Sequence, residues 1–179
     1  MSIREARLIL AVGVVLLIGN AMASDAKIHI TGAVIEQSCT AQSTVQNLTL
    51  PSVTQGDVKD SSGTGVSSIL KIPVTCTGAT KGKSVTMSLL PAVTDVSGSG
   101  EVLLNKATDA KAGGVGVSLL DQNGKLLIFN NGTPAEVHAS LNGETGDVIL
   151  AAKYAKDGSN NAVTAGKVEV NVPFVLTYK

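Results

Sequence analysis

Apolar and polar residues alternate along this chain in short runs. Near the start, Ala26, Ile28, Ile30, Gly32 and Val34 occupy every second position, with Lys27, His29, Thr31 and Ala33 between them. Successive strand side chains point to opposite faces, so this register predicts a strand with one apolar and one largely polar face. Such a strand either opens the protein's own sheet or is an arm offered to another subunit. The end of the chain repeats the pattern: Val168, Val170, Val172, Phe174, Leu176 and Tyr178 alternate up to the residue before Lys179. Strands are predicted at Lys27–Cys39, Gln46–Leu50, Ser68–Cys76, Ser84–Leu90, Gly114–Leu120, Lys125–Phe129, Glu136–Leu141, Asp147–Tyr154 and Lys167–Tyr178.

No helical periodicity extends beyond two turns. Turn-forming clusters separate the apolar runs at Gln55–Gly65, Asp95–Gly100, Asp121–Gly124, Asn130–Pro134 and Lys156–Asn161. Asn123-Gly124 between two apolar runs is a hairpin signal. Many short strands at this spacing predict an all-β sandwich of two packed sheets in one domain, with no internal repeat.

The first residues have a different character. Arg4 and Arg7 precede an apolar run from Leu8 to Ile18, followed by the small-residue site Ala21-Met22-Ala23. This reads as a secretion signal over residues 1–23, cleaved after Ala23; the apolar run falls short of the roughly 20 residues of a membrane-spanning helix. Cleavage would remove two Arg and one Glu from a chain with 14 basic and 14 acidic residues, leaving a net charge of −1. That balance favours neither nucleic acid nor an anionic membrane surface as a partner, and no later segment predicts a stable membrane span. Export also places Cys39 and Cys76, the two cysteines of the chain, in an oxidising compartment where they can pair. Closing that loop would stabilise the fold by roughly 4 kcal/mol in the chain-entropy model.

Composition narrows the chemistry. Two Phe, two Tyr and no Trp leave a core of Val, Leu, Ile and Ala, and little aromatic surface for stacking a sugar or a base. A nucleophilic triad needs a base, and the two histidines, His29 and His138, both fall on polar faces of predicted strands. With the cysteines paired, they form no zinc-ligand pattern. Gly113-Gly114-Val115-Gly116 lacks the Lys-Ser/Thr ending and following helix of a phosphate loop, and reads as close packing at a strand. Asp57 with Asp60, and Asp121 with Asn123, fall short of a calcium loop and read as turns. No enzyme activity, metal or cofactor is expected.

Taken together, these segments resemble the pilin subunits of chaperone–usher fimbriae. Ile28-His29-Ile30-Thr31-Gly32, with Cys39 seven residues on, is similar to the start of those subunits, as are Leu50-Pro51 after the first cysteine and Cys76 closing a strand. Ala112–Asp121 with Gly124 resembles the family's central motif, and Val163–Val168 followed by Phe174 and Tyr178 its closing one. The resemblance implies an immunoglobulin-like sandwich lacking its last strand and completed by a donor strand. Residues 24–36 would be the N-terminal extension and 37–179 the pilin domain. Ala26, Ile28, Ile30, Gly32 and Val34 would be donor positions, with Gly32 at a shallow point of the acceptor groove. Val170, Val172, Phe174, Leu176 and Tyr178 would border that groove and meet a periplasmic chaperone, whose basic residues would clamp the Lys179 carboxylate. Neighbouring pilin subunits and an outer-membrane usher are the further partners implied, and the cell-surface fimbrium, reached through the periplasm, is the destination. The short stretch before Cys39 resembles tip or adaptor subunits at least as much as rod-forming pilins. The alternative is a self-contained secreted β-sandwich binding module.

Overall fold

A computed structural model of the chain describes residues 38–41, 46–79, 82–130 and 133–178. Within them run β1 (Ser38–Ala41), β2 (Ser67–Thr77), β3 (Ser84–Leu89), β4 (Leu103–Leu104), β5 (Val115–Asp121), β6 (Ala135–Asn142), β7 (Thr145–Lys156) and β8 (Phe174–Tyr178). Helical structure among the described residues is limited to 3₁₀ turns at Gln55–Asp57 and Val93–Asp95. Every ladder between named strands is antiparallel. One sheet runs β1-β2-β7-β5 with the short β4 on the outer side of β5, and the other runs β6-β3-β8. The β6–β7 hairpin joins them, pairing Leu141 with Gly146 and Asn142 with Thr145. Gly143, at φ 69°, takes the first central position of its two-residue loop, where a positive φ is required.

Alternation sets what the sheets enclose. β2 buries Ile72, Val74 and Cys76 and turns Lys71, Pro73 and Thr75 outward, while β6 buries Ala135, Val137, Ala139 and Leu141 and exposes Glu136, His138 and Ser140. Val85 and Met87 from β3 and Val148 and Leu150 from β7 complete the centre of the core. Each fully buried side chain of this kind contributes about 1.5–3 kcal/mol. Cys39 and Cys76 face one another across the β1–β2 ladder and form the expected disulfide.

Four predicted strands come out differently. The described part of Lys27–Cys39 begins at Ser38 and runs on to Ala41, and residues 27–37 lie outside the described residues. Gln46–Leu50 is extended with alternating burial but joins no ladder. Lys125–Phe129 is not a strand. Its preceding turn closes as expected, with Gly124 at φ 77° donating to the Asp121 carbonyl and the Asp121 carboxylate accepting from the Asn123 and Lys125 amides. After one bridge between Leu120 and Leu126, however, Leu127 and Phe129 drop into the core and the Phe129 amide bonds Gly100 instead of β5. Lys167–Tyr178 is a strand only over Phe174–Tyr178, because β3, its ladder partner, ends at Leu89 and Pro173 has no amide hydrogen. Leu103–Leu104 is a strand the pattern did not predict; it lies so close to β5 that a Cβ on Gly116 would fall 2.2 Å from the Leu103 carbonyl oxygen.

Candidate functional site

Among the described residues no ladder joins β1 to β8. An apolar cleft of about 970 Å³ exposes the core there, floored by Leu70 and Ile72 of β2, Met87 and Leu89 of β3, Leu119 of β5 and Leu150 of β7. One wall is the extended segment 46–50, with Gln46, Leu48 and Leu50 half-buried and Asn47 and Thr49 exposed. The other is the final segment, in which burial alternates without interruption: Val168, Val170, Val172, Phe174, Leu176 and Tyr178 are half-buried, and the odd-numbered residues between them are exposed.

The backbone of that second wall alternates as well. In an antiparallel ladder a residue directs both its N–H and its C=O to the same side, and the next residue directs both to the other. The Leu90 amide donates to the Pro173 carbonyl at 2.8 Å, and the register pairs Ser88 with Val175 and Thr86 with Thr177, so odd-numbered residues face β3. Further up the wall the odd residues are again the ones engaged. Lys167 donates to the Ala110 carbonyl and accepts from the Ala112 amide; Glu169 accepts from the Lys106 amide. The amides and carbonyls of Val168, Val170, Val172, Phe174, Leu176 and Tyr178 therefore face the opposite, open edge, with no partner strand among the described residues. Apolar side chains directed into a cleft beside an unpaired backbone edge are what a further strand would need.

Charge is nearly absent from this site. Glu169 is the one carboxylate among the lining residues and is exposed, while the neighbouring Tyr154 phenol is pushed above its usual 10.0 by burial. The arrangement can sequester apolar side chains and complete a sheet. The other candidates lie elsewhere. His138 sits on the outer face of β6, its Nδ1 2.9 Å from the Thr86 hydroxyl and its Nε2 3.8 Å from Glu136. Asp57 accepts from the amide and hydroxyl of Thr54, bonds that hold its carboxyl below 3.8, and Asp60 pairs with Lys156.

Of the residues expected to border a groove, Val170, Val172, Phe174 and Leu176 line the cleft. Tyr178 does not line it; its side chain packs against the main core, and its buried hydroxyl has no hydrogen-bond partner among the described residues. Lys179 and the arm residues Ala26, Ile28, Ile30, Gly32 and Val34 lie outside the described residues. The sequence reading missed that 46–50 is a cleft wall, although the alternation of Gln46, Leu48 and Leu50 carried the signal. It also missed Asn105, buried behind the other wall, which no periodicity marks.

A family model described as fimbrial protein matches residues 28–179. Among curated proteins none matches in sequence. The fold is similar to that of a subunit in a chaperone–usher pilus structure concerned with rod uncoiling, at 20% identity and a TM-score of 0.58, covering 88% of this chain and 97% of that one. It is similar to the P pilus rod subunit PapA at 18% identity and a TM-score of 0.56, over 79% of this chain and 99% of PapA. The CupB6 tip adhesin from Pseudomonas aeruginosa matches at 19% identity and a TM-score of 0.58, over 78% of this chain but 38% of the adhesin.

Proposed function

Because the chain belongs to the fimbrial protein family, we propose that its cleft is an acceptor for a β-strand donated by a neighbouring copy, and that subunits polymerise into a fimbria through this joint. The observation that carries the reading is the wall from Val168 to Tyr178, whose even-numbered residues turn their side chains inward and their unpaired backbone groups toward the open edge. Strand addition to such an edge is an established recognition mode, in which main-chain bonds supply affinity and pockets for alternate side chains supply specificity. The donor is the arm at residues 24–36, whose Ala26, Ile28, Ile30, Gly32 and Val34 repeat at the same two-residue interval as the wall. Burying Ile28, Ile30 and Val34 at about 1.5–3 kcal/mol each, with main-chain bonds at about 0.5–1.5 kcal/mol apiece, gives a joint that outweighs the ordering of a short arm.

Before assembly the exposed core needs a temporary cover. A periplasmic chaperone would lend a strand to the same edge, touching Val170, Val172, Phe174 and Leu176 and clamping the Lys179 carboxylate, and an outer-membrane usher would exchange it for the next subunit's arm on the way to the cell surface. An open edge beside an exposed core supports this reading over a self-contained module. Ile30→Asp in the arm is expected to abolish polymerisation while leaving the subunit's own cleft intact. The check is a gel of surface-sheared material with and without boiling in SDS. A wild-type ladder that collapses to monomer on boiling is the expected result, and a wild-type monomer in both lanes overturns the proposal.

A further inference from the structure

The upper half of the cleft wall stands beyond the end of β3, so a different element must hold it. Asn105 sits directly behind it, 4% exposed. Its Nδ2 donates to the Lys167 carbonyl at 2.7 Å and to the Ala112 carbonyl at 2.9 Å, while its Oδ1 accepts from the Glu169 and Ala107 amides, each at 3.0 Å. Two of these bonds go to odd-numbered wall residues, on the side that β3 would occupy if it were longer. One amide side chain thus performs for Lys167 and Glu169 what a strand edge performs for Val175 and Thr177. The neighbouring Lys106 amide reinforces it by bonding the Glu169 carbonyl, and the Lys106 ammonium is tied to Asp95 at 2.5 Å.

We infer that Asn105 is a positioning residue for strand capture: it fixes the extended course of 167–169 so that the backbone groups of Val168, Val170 and Val172 continue the open edge of β8 in register. The inference rests on the strand-acceptor reading above. An amide suits this position because it presents donor and acceptor on one rigid plane, matching the carbonyl of one residue and the amide of the next but one. A hydrocarbon side chain would leave the Ala112 carbonyl and the Glu169 and Ala107 amides without a partner among the described residues, which is costly in a buried site, and would leave the Lys167 carbonyl only its bond from the Ala112 amide.

The test uses the full-length chain from Ser24 with Ile30→Asp, so that its own arm does not compete, and a synthetic peptide of residues 24–36. Peptide binding is measured for this protein and for Asn105→Leu and Asn105→Asp on the same background, using the native peptide and peptides carrying Ile28→Asp or Val34→Asp. The expected result is at least about tenfold weaker binding of the native peptide to the Asn105 variants, equivalent to about 1.4 kcal/mol. That loss should couple strongly to the substitution at one peptide end and not at the other, as a double-mutant cycle detects. A purely structural role would weaken all three peptides by one common factor, and that outcome, or unchanged binding, overturns the inference. Hydrogen exchange on the unsubstituted Asn105 protein gives a second measurement that does not depend on the variants folding. The Glu169 and Ala107 amides should be protected before peptide is added, and those of Val168, Val170 and Val172 only afterwards. An unprotected Glu169 amide in the peptide-free protein also overturns it. If the peptide fails to bind the protein retaining Asn105, the acceptor reading itself falls, an outcome distinct from either of these.

Discussion

Tyr154 and Tyr178 are the two tyrosines of a chain without tryptophan, so phenolate absorbance of a Tyr178→Phe variant reports on Tyr154 alone. Tyr154 lines the cleft, and burial raises its pKa above 10.0. A raised folded-state pKa contributes stability that is complete below the unfolded value and is lost as pH rises through the folded one. A donor strand over the cleft withdraws Tyr154 further from water, so peptide binding should raise its titration midpoint again and should weaken above pH 10. A midpoint unmoved by peptide would place the donor away from Tyr154. Asp95 behaves with the opposite sign: its hydrogen-bonded pairing with Lys106 lowers its pKa below 3.8, so its contribution is present above that value and disappears in acid. Tyr178→Phe, which removes a buried hydroxyl lacking a described partner, should change subunit stability by less than about 1 kcal/mol, as judged by urea denaturation.

Elements show where a pattern in the sequence determines structure and where it does not. Alternation at Ser68–Cys76, Ser84–Leu90 and Glu136–Leu141 recurs as β2, β3 and β6, because each lies beside a neighbour and packs one face on the core. The same alternation at 46–50 and 168–172 produces half-buried extended walls without ladders, since pairing is a property of the neighbour and not of the segment. Lys125–Phe129 fails for another reason: the Leu127 amide still bonds the Leu119 carbonyl of β5, but Phe129 is drawn into the core and its amide turns to the Gly100 carbonyl. Asn105 carries no signal in one dimension, its four partners lying at positions 107, 112, 167 and 169. The Gly113–Gly116 run is legible as close packing, and the β4–β5 contact gives that reading a sharp consequence. Gly116→Ala would drive a Cβ into the Leu103 carbonyl oxygen and should cost about 1–3 kcal/mol or more in denaturant titrations. Gly124, with open space around its Cβ position but φ 77°, should lose only the smaller penalty of its backbone conformation, about 1 kcal/mol, on the same substitution.

At the scale of the molecule, the site among the described residues is an apolar cleft beside a strand edge without a partner strand, a feature of the architecture that composition alone does not locate. The disulfide between Cys39 and Cys76 takes on mechanical meaning there. In a fibre assembled as proposed, tension enters each subunit through the arm, reaches β1, and crosses directly into β2 through a covalent bond, from which the β2–β7 ladder distributes it over nine residue pairs. The chain between Cys39 and β2, residues 40–66, including the 46–50 wall of the cleft, is thereby left off the load path. Reduction would put those residues under tension, and a single-fibre pulling experiment should then record an added extension of about 90–100 Å per subunit. The oxidised bond makes the subunit a stiff link whose cleft wall stays unloaded while the fibre is pulled.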